Sequence, residues 1–311
     1  MRTIRFHQYG GPEVLRLEQV AEPEPGPGQL LISTEAIGVT LPAVRKVRGE
    51  GARAPLPATL GGEVAGRVIA IGPQVTDYEV GDRVAALAFT GAYADVVVAP
   101  TLTASRIPDH ADCVQAVALV RSGHVALAAL ATAAVTPAES VLLTGAAGGV
   151  GHLAVQLAKI QGIKRVVAAV STADKADFVR DLGADEVVTY QDEHWAEPVD
   201  VVLDAVGGDL LPRAVAALRP GGRLIFFNSG GGTVPAFDLL AGSKTITGLT
   251  MARLATTQRE VYSRHHQQLW HLHRSGQLRA AVHAEIPLSD AATAHEIIEA
   301  RSNRGKVILR P

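Results

Sequence analysis

A glycine-rich segment at residues 145–151 carries the clearest chemical signal in the sequence. It lies between a buried strand pattern at 140–144 and an amphipathic helix pattern at 149–161. The first glycine permits a tight turn, the middle glycines let backbone N–H groups approach a pyrophosphate, and the last allows helix and strand to pack closely. A dinucleotide-binding loop is therefore predicted, with a structural glycine turn as the alternative. The predicted cofactor contacts in it are Gly145, Ala147, Gly148, Gly149, Val150 and Gly151.

The end of the next predicted strand indicates which nicotinamide nucleotide is favoured. An acidic side chain there would bind the ribose hydroxyls of NAD and repel a 2′-phosphate. This chain instead has Ser171, followed by Thr172 and Lys175, and Tyr190 ends the following strand. Hydroxyl groups and a cation suit a 2′-phosphate, so these residues favour NADPH. Asp174 keeps NAD open as an alternative, because its carboxylate could turn towards the ribose.

The surrounding patterns indicate two kinds of architecture. In the first third of the chain, short alternating strands are separated by glycine and proline, as in an antiparallel barrel or sandwich. From about residue 116 strand and helix patterns alternate, which predicts an α/β domain with a doubly wound parallel sheet of about six strands. The phosphate loop and the Ser171 position then lie at the carboxyl ends of neighbouring strands.

Composition narrows the function further. A net charge of −2 over 311 residues and an aromatic content of 4% give no basis for a nucleic-acid partner. The single cysteine, Cys113, cannot form an internal disulfide, which suits a reducing compartment. The N-terminus lacks the apolar stretch of a signal peptide, and the longest apolar run, 125–135, is short for a membrane span. We therefore expect a cytoplasmic protein that acts on a small molecule, with no nucleic-acid or membrane partner.

Short motifs along nearly the whole chain carry a family resemblance. They are GGPEVL at 10–15, GEVAGRV at 62–68, VGDRV at 80–84, GAYA at 91–94, LGA at 182–184, DAVGG at 204–208 and GKVIL at 305–309. Together with the glycine loop, they make the chain resemble the zinc-independent quinone oxidoreductases of the medium-chain dehydrogenase/reductase superfamily.

This resemblance implies a fold, a domain division and an assembly. The fold is a Rossmann doubly wound parallel sheet inserted into a GroES-like β-barrel catalytic domain. The catalytic domain would contain 1–116 and 255–311, and the NADPH-binding domain 117–254. A homodimer would form through the edges of the Rossmann sheets near 244–250.

Zinc binding can be tested against the residues themselves. Zinc-dependent alcohol dehydrogenases of the superfamily place a cysteine after the third barrel strand and a histidine beside the glutamate of the glycine motif. This chain has Gly38, Thr40 and Gly62 in those regions, none of them a zinc ligand, so no metal is expected. The histidines on a later helix, at 265, 266, 271 and 273, are not three or four residues apart, and we interpret them as a solvated helix face.

Without a metal, hydride transfer requires an already polarised acceptor, either a quinone or an α,β-unsaturated carbonyl. The family places an asparagine and a tyrosine near the nicotinamide, where this chain has Thr40 and Arg45. Thr40 can donate one hydrogen bond, and Arg45 either stabilises an oxyanion or is a solvated surface residue. His124, on an apolar helix, is predicted to donate a proton, with a packed histidine as the alternative. By the resemblance, the cofactor is also contacted by Phe227, Asn228, Ser229 and Lys306.

These inferences predict an NADPH-dependent reductase of quinones or α,β-unsaturated carbonyls. One alternative is an enoyl or enone reductase of a biosynthetic pathway, since the residues at 40, 45 and 124 depart from the family pattern. Another is a non-catalytic NADPH-binding protein, a sensor or structural subunit, because the family asparagine and tyrosine are missing.

Overall fold

Alternating apolar and polar side chains between glycine- and proline-containing turns give the first third of the chain its strands. The computed structural model describes residues 1–51, 53–227 and 230–311. Contacts within the chain divide it into two compact units. Unit 1 contains Met1–Arg121 and Val282–Pro311, and unit 2 contains Ser122–Ala281.

The strands and α-helices follow in chain order. The strands are β1 (Arg2–Phe6), β2 (Leu15–Gln19), β3 (Gln29–Val39), β4 (Ala58–Thr59), β5 (Gly62–Ile71), β6 (Arg83–Ala88), β7 (Val96–Pro100), β8 (Ser105–Arg106), β9 (Ser140–Thr144), β10 (Arg165–Val170), β11 (Glu186–Thr189), β12 (Val199–Asp204), β13 (Leu218–Phe226), β14 (Thr245–Gly248), β15 (Val282–Pro287) and β16 (Lys306–Arg310). The helices are α1 (Leu41–Arg48), α2 (Cys113–Ala133), α3 (Gly151–Ile160), α4 (Ala176–Asp181), α5 (Leu211–Ala216), α6 (Ala236–Gly242), α7 (Met251–Thr257), α8 (Arg259–Arg274) and α9 (Ala291–Glu299).

Unit 1 is a mainly antiparallel β-structure. In the described part of the chain, a larger sheet has the order β15-β16-β3-β5-β6-β8, with β7 also paired to β3, and a smaller sheet has the order β2-β1-β4. Apolar residues of β1 and β3 are almost completely excluded from solvent, as at Phe6, Leu30 and Ile32. Burying each such side chain contributes about 1.5–3 kcal/mol, which makes β3 a firm support for the residues at its carboxyl end.

Unit 2 contains the predicted Rossmann sheet. Its strand order is β11-β10-β9-β12-β13-β14, with every neighbouring pair parallel. Along the sheet the chain runs outwards from β9 in both directions, which is the doubly wound order. Central residues of its strands, among them Leu142, Val167 and Val202, are fully buried, as is usual for a parallel sheet. The predicted fold class is confirmed.

Helix α2 is long and apolar enough for a membrane span by length and composition alone. It is 83% buried inside the protein over its most apolar window, as expected for the core helix of a globular fold. The division between the two units falls within this helix, after Arg121.

The boundary between the units lies later in the chain than the predicted one at residue 254, because α8 packs within unit 2. A Cβ on Gly123 of α2 would lie 2.5 Å from the Leu269 side chain of α8, so the two helices approach closely there. Gln156 of α3 bonds both the N–H and the carbonyl of Arg279, at 2.9 Å each. Residues up to Ala281 therefore belong to unit 2.

Candidate active site

The phosphate loop has the geometry that its glycines predict. Gly145 has a φ of +63°, a left-handed conformation that side-chain-bearing residues rarely adopt. The Gly148 N–H donates to the Gly145 carbonyl at 2.9 Å, which closes the turn. A Cβ on Gly151 would lie 2.2 Å from the same carbonyl, so only glycine allows α3 to begin this close to the turn. The loop is therefore built around three glycines with distinct roles.

The loop presents the amino end of α3 to an anion. Gly148, Gly149 and Val150 are partly exposed, whereas Ala147 is buried. Val150 is the N-cap residue of α3, and no side chain caps the helix there. The first N–H groups of a helix without a side-chain cap, together with its dipole, favour a bound phosphate.

Two residues that the sequence analysis missed support this loop. His152 Nε2 accepts a hydrogen bond from the Ala281 N–H at 3.0 Å, so its Nδ1 carries the hydrogen and donates to the Gly148 carbonyl at 2.9 Å. Asp204, fully buried, accepts a 2.6 Å hydrogen bond from the Thr144 hydroxyl. The DAVGG motif that contains Asp204 was the available signal, and the structure shows that its carboxylate joins the carboxyl ends of β9 and β12.

The predicted 2′-phosphate residues come together at the carboxyl edge of the sheet. Lys175 is only 5% exposed, and its Nζ donates to the Ser171 hydroxyl at 3.0 Å. The Tyr190 N–H bonds the carbonyl of Val170, the residue before Ser171. The Tyr190 hydroxyl accepts a 2.9 Å hydrogen bond from the Gly145 N–H. Tyr190 therefore connects this strand end to the phosphate loop.

The other predicted cofactor contacts in unit 2 have different surroundings. Thr172 is exposed, and its carbonyl accepts a bond from the Lys175 N–H at 3.3 Å. Phe227 follows β13 and bonds through its N–H to the Asp204 carbonyl at 3.3 Å, also at the carboxyl edge. Asn228 and Ser229 lie outside the described residues.

In unit 1, Thr40 joins the end of β3 to the start of α1. It is the N-cap residue of α1, and its hydroxyl accepts from the Ala43 N–H at 3.4 Å. A hydroxyl that accepts in this way still has its own hydrogen to donate. Arg45, one turn into α1, forms an ion pair with Glu50 at 3.4 Å, and its side chain is 19% exposed. The positive charge of Arg45 is therefore paired with an exposed carboxylate.

Lys306, which the resemblance predicts to contact the cofactor, is paired with a carboxylate in the structure. It is buried in unit 1, where its amino group forms an ion pair with Glu63, and Arg121 Nη1 bonds the other oxygen of the same carboxylate at 2.8 Å. Burial would raise the pKa of Glu63, but the two cations outweigh it and hold the pKa below its ordinary value. The positive charge of Lys306 therefore neutralises a buried glutamate. The sequence did not indicate this pairing, because the two residues become neighbours only in the folded protein.

His124 lies in an aromatic cluster within unit 2. Its ring is fully buried, stacks on Tyr262 of α8 with a centroid distance of 4.1 Å, and meets the edge of His266 at the same distance. Burial, with the neighbouring His266 and His265, holds the pKa of His124 well below its ordinary value. His124 is therefore neutral at pH 7, and this setting favours the packed-histidine alternative over a proton donor.

The interpretation of the α8 histidines as a solvated face was wrong for two of them. His265 is only 8% exposed, and burial lowers the pKa of His266 to about 4. Both pack towards α2, a contact between distant segments that spacing along α8 does not indicate. His271, by contrast, is exposed.

The positions at which zinc-dependent relatives bind metal have no ligating side chain here. Gly38 and Gly62 lie on adjacent strands, β3 and β5, and Thr40 follows β3. A Cβ on Gly38 would lie 2.2 Å from the Glu63 carboxylate, so the side chain of a ligand would not fit there. Among the residues that the structure describes, no cluster of three or more His, Cys, Asp or Glu side chains is arranged to hold a metal ion.

Comparison with protein-family models gives two matches, one in each half of the chain. Residues 26–109 match the alcohol dehydrogenase GroES-like domain, and residues 149–266 match a family described as zinc-binding dehydrogenase.

Comparison with known proteins gives matches over the full length of the chain. A quinone oxidoreductase of Pseudomonas aeruginosa is 33% identical over 100% of this chain and 99% of its own length. A 2-haloacrylate reductase from a Burkholderia species is 31% identical over 98% of each. The crystal structure of Escherichia coli quinone oxidoreductase complexed with NADPH is 32% identical, with a TM-score of 0.94 over 100% of both chains.

Proposed function

Since the chain belongs to the quinone oxidoreductase family of the medium-chain dehydrogenase/reductase superfamily, we propose that it is an NADPH-dependent reductase of quinones or α,β-unsaturated carbonyls that uses no metal. The observation that carries this proposal is the buried Lys175 at the Ser171 hydroxyl, beside a phosphate loop, in a chain that resembles an NADPH-complexed quinone oxidoreductase over its whole length.

Residues of unit 2 fit NADPH. The N–H groups at the start of α3 suit the pyrophosphate, and Ser171 and Lys175 suit a 2′-phosphate through a hydroxyl and a cation. An acidic residue that would favour NADH is absent from position 171. Phe227, at the same edge of the sheet, is assigned to the nicotinamide side of the site. When bound, NADPH supplies the hydride.

We assign Thr40 to the acceptor. An oxygen of a quinone or enone gains negative charge as the molecule is reduced, and a donor held in place stabilises that charge. The Thr40 hydroxyl is held by its N-cap bond to Ala43, and its own hydrogen can point elsewhere. Arg45 is paired with Glu50, so we assign it no direct contact with the acceptor. Its positive charge instead contributes to the electrostatic potential around Thr40.

An activated alkene is the second candidate acceptor, because a relative of this chain acts on one. The 2-haloacrylate reductase has a substrate name that denotes an electron-poor carbon–carbon double bond. Reduction of an enone requires the same hydride donor and the same stabilisation of a developing oxyanion. The two acceptor classes therefore need the same residues, and an assay must separate them.

The test is NADPH oxidation with a panel of quinones, a panel of enones and a reaction without acceptor. Wild-type protein should oxidise NADPH only when an acceptor of one panel is present. Thr40→Val should lower kcat by about 10- to 100-fold, the effect of losing a hydrogen bond to a charged group, with NADPH affinity unchanged. Thr40→Ser, which keeps the hydroxyl and the N-cap, is the matched control. No turnover with either panel, despite NADPH binding, would refute the enzymatic proposal and favour a binding protein.

We also propose a homodimer formed through unit 2. β14 is the last strand in the order of the sheet, and α6 before it exposes Phe237 at 71% and Leu240 at 74%. An exposed strand edge next to exposed apolar side chains is a surface that association would cover. Sedimentation should give twice the monomer mass of 32.5 kDa for wild type and the monomer mass for a Phe237→Lys, Leu240→Lys double variant. A monomeric wild type would refute the dimer.

A cytoplasmic location completes the proposal. Cys113, the one cysteine of the sequence, is a buried free thiol, and burial raises its pKa to about 11, so it is kept in the unreactive protonated form. NADPH is a metabolite of the reducing compartments of the cell. Fractionation of the native source should place the protein with other cytoplasmic enzymes, and recovery in a membrane fraction would contradict this.

A further inference from the structure

The segment that follows β11 contains Tyr190, and an arginine of another element forms hydrogen bonds to the backbone of this segment. Arg213 lies on α5, more than twenty residues further along the chain, and is half-buried. Its Nη1 donates to the Tyr190 carbonyl, and its Nη2 donates to the carbonyls of Asp192 and, at 3.4 Å, Glu193. One guanidinium therefore bonds three backbone carbonyls of this segment, those of residues 190, 192 and 193.

A buried tryptophan completes the attachment. The Arg213 Cζ lies 4.7 Å from the ring centroid of Trp195, in a cation–π contact. The Trp195 ring is only 5% exposed and lies 5.9 Å from the Tyr190 ring, centroid to centroid. Guanidinium, indole and phenol therefore pack in sequence, and the phenol is the member that reaches the phosphate loop.

A second anchor fixes the same segment at its start. The Asp192 carboxylate accepts from the Thr189 N–H at 2.7 Å and from the Thr189 hydroxyl at 2.8 Å. This bond sets the turn after β11, but it does not reach the Tyr190 ring. The Tyr190 ring is instead contacted by Trp195, over which the Arg213 guanidinium lies.

We propose that Arg213, acting through Trp195 and the backbone at 190–193, is a positioning residue for NADPH binding, because it holds the Tyr190 hydroxyl at the Gly145 N–H. This inference rests on the proposed assignment of the 145–151 loop to NADPH. The 2.9 Å bond at Gly145 fixes the first residue of the loop, where the left-handed turn begins. A loop that is already ordered in the free protein loses less conformational freedom when it binds its ligand.

The guanidinium group itself is required by this geometry. Its planar fork can donate to several carbonyls while its face remains over an aromatic ring, whereas a lysine ammonium offers only a compact charge. Arg213→Lys should therefore restore little of what Arg213→Met removes. A residue that contributed only positive charge near the cofactor would be replaced well by lysine.

The experiment measures NADPH affinity by the change in NADPH fluorescence on binding, which needs no turnover. The variants are Tyr190→Phe, Arg213→Met and their combination. Each single variant should weaken NADPH about 3- to 10-fold, the range for one neutral hydrogen bond or the ordering that supports it. The combined variant should lose no more NADPH affinity than the single variant with the larger loss, because both changes remove the same hydrogen bond.

A control and a conformational readout accompany these measurements. Arg219→Met removes an arginine of the same unit that pairs with Asp200 near the start of β12, far along the strand from the loop, and should leave NADPH affinity within twofold. In a Trp270→Phe background, Trp195 is the remaining tryptophan, and Arg213→Met should make its emission more accessible to acrylamide quenching. This readout reports the release of the segment directly.

The outcomes separate this inference from the function that it rests on. Multiplicative losses in the combined variant, or unchanged affinity in Arg213→Met, would overturn the positioning role while the NADPH site stands. Unchanged affinity in Tyr190→Phe would overturn both the role of Tyr190 and this inference. Absence of NADPH binding in wild-type protein would refute the proposed function itself. If Arg213→Met does not fold, Arg213→Lys gives the same test, with an expected loss of about threefold or more.

Discussion

Removing the amino group of Lys175 should separate the two nicotinamide nucleotides. NADPH and NADH differ only in the 2′-phosphate, and we have assigned that phosphate to Ser171 and Lys175. Lys175→Ala should therefore weaken NADPH and leave NADH nearly unchanged. A general disturbance of the fold would instead weaken both nucleotides.

The structure sets the size of the expected effect. Losing a hydrogen bond to a charged group costs about 1.5–3 kcal/mol, which is about 10- to 100-fold in Kd. Lys175 is 5% exposed and already oriented by the 3.0 Å bond to Ser171, so its charge is poorly screened by water and its side chain needs little ordering on binding. The effect should therefore lie in the upper part of this range.

The assay is a titration of both nucleotides against wild type and three variants, with circular dichroism to show that each variant is folded. Lys164→Ala, an exposed lysine of the same unit, is the matched control and should change neither affinity. Ser171→Asp should repel the phosphate and offer NADH a partner for its ribose hydroxyls, so the preference should move towards NADH. Equal losses for the two nucleotides in Lys175→Ala, or tighter NADH than NADPH binding in wild type, would refute the reasoning.

Three further predictions follow from the site and its surroundings. Treatment with a chelator should leave quinone reduction unchanged, because residues such as Gly38 occupy the ligand positions of zinc-dependent relatives. Activity that is lost to the chelator and restored by stoichiometric zinc would contradict this. His124→Ala should lower the free energy of unfolding by about 2–4 kcal/mol, because it leaves a cavity between α2 and α8. The kcat of this variant should stay within twofold of the wild-type value. A large loss of kcat at unchanged stability would instead indicate that His124 is catalytic. The pKa values of His266 and His295 fall to about 4 through burial, so the unfolded chain takes up protons before the folded protein does. The free energy of unfolding should have its full value above pH 6.5 and be lower by about 2 kcal/mol for each of these residues at pH 5. Urea unfolding that shows no pH dependence from pH 7.5 to 5 would contradict this.

Local sequence was sufficient wherever the chemistry depends on consecutive residues. The loop at 145–151 needs glycine at positions that the backbone itself specifies, and the structure places a positive φ at Gly145 and a close approach at Gly151. Strand and helix periodicity likewise predicted the parallel sheet of unit 2, whose order was confirmed. Ser171 and Tyr190 could be located because each directly follows a strand whose end the pattern predicts.

Pairings between distant segments could not be predicted in this way. Lys306 pairs with the buried Glu63, a residue more than 200 positions earlier that lies beside it because β3 stands between β16 and β5. The histidines of α8 looked solvated because nothing in their spacing indicates that α2 covers them.

The sequence by itself determined the fold class and the turn of the glycine loop, and it predicted the residues to which we assign the preference for NADPH, because each depends on backbone conformation or on the end of a single strand. Only the tertiary structure decided which side chains meet, such as His124 with Tyr262 and His266, or Arg213 with Trp195 and the backbone at 190–193. The physical reason is that burial and hydrogen bonding act between elements that meet after folding. A side chain's type shows what it can do, but its neighbours in the folded protein determine what it does.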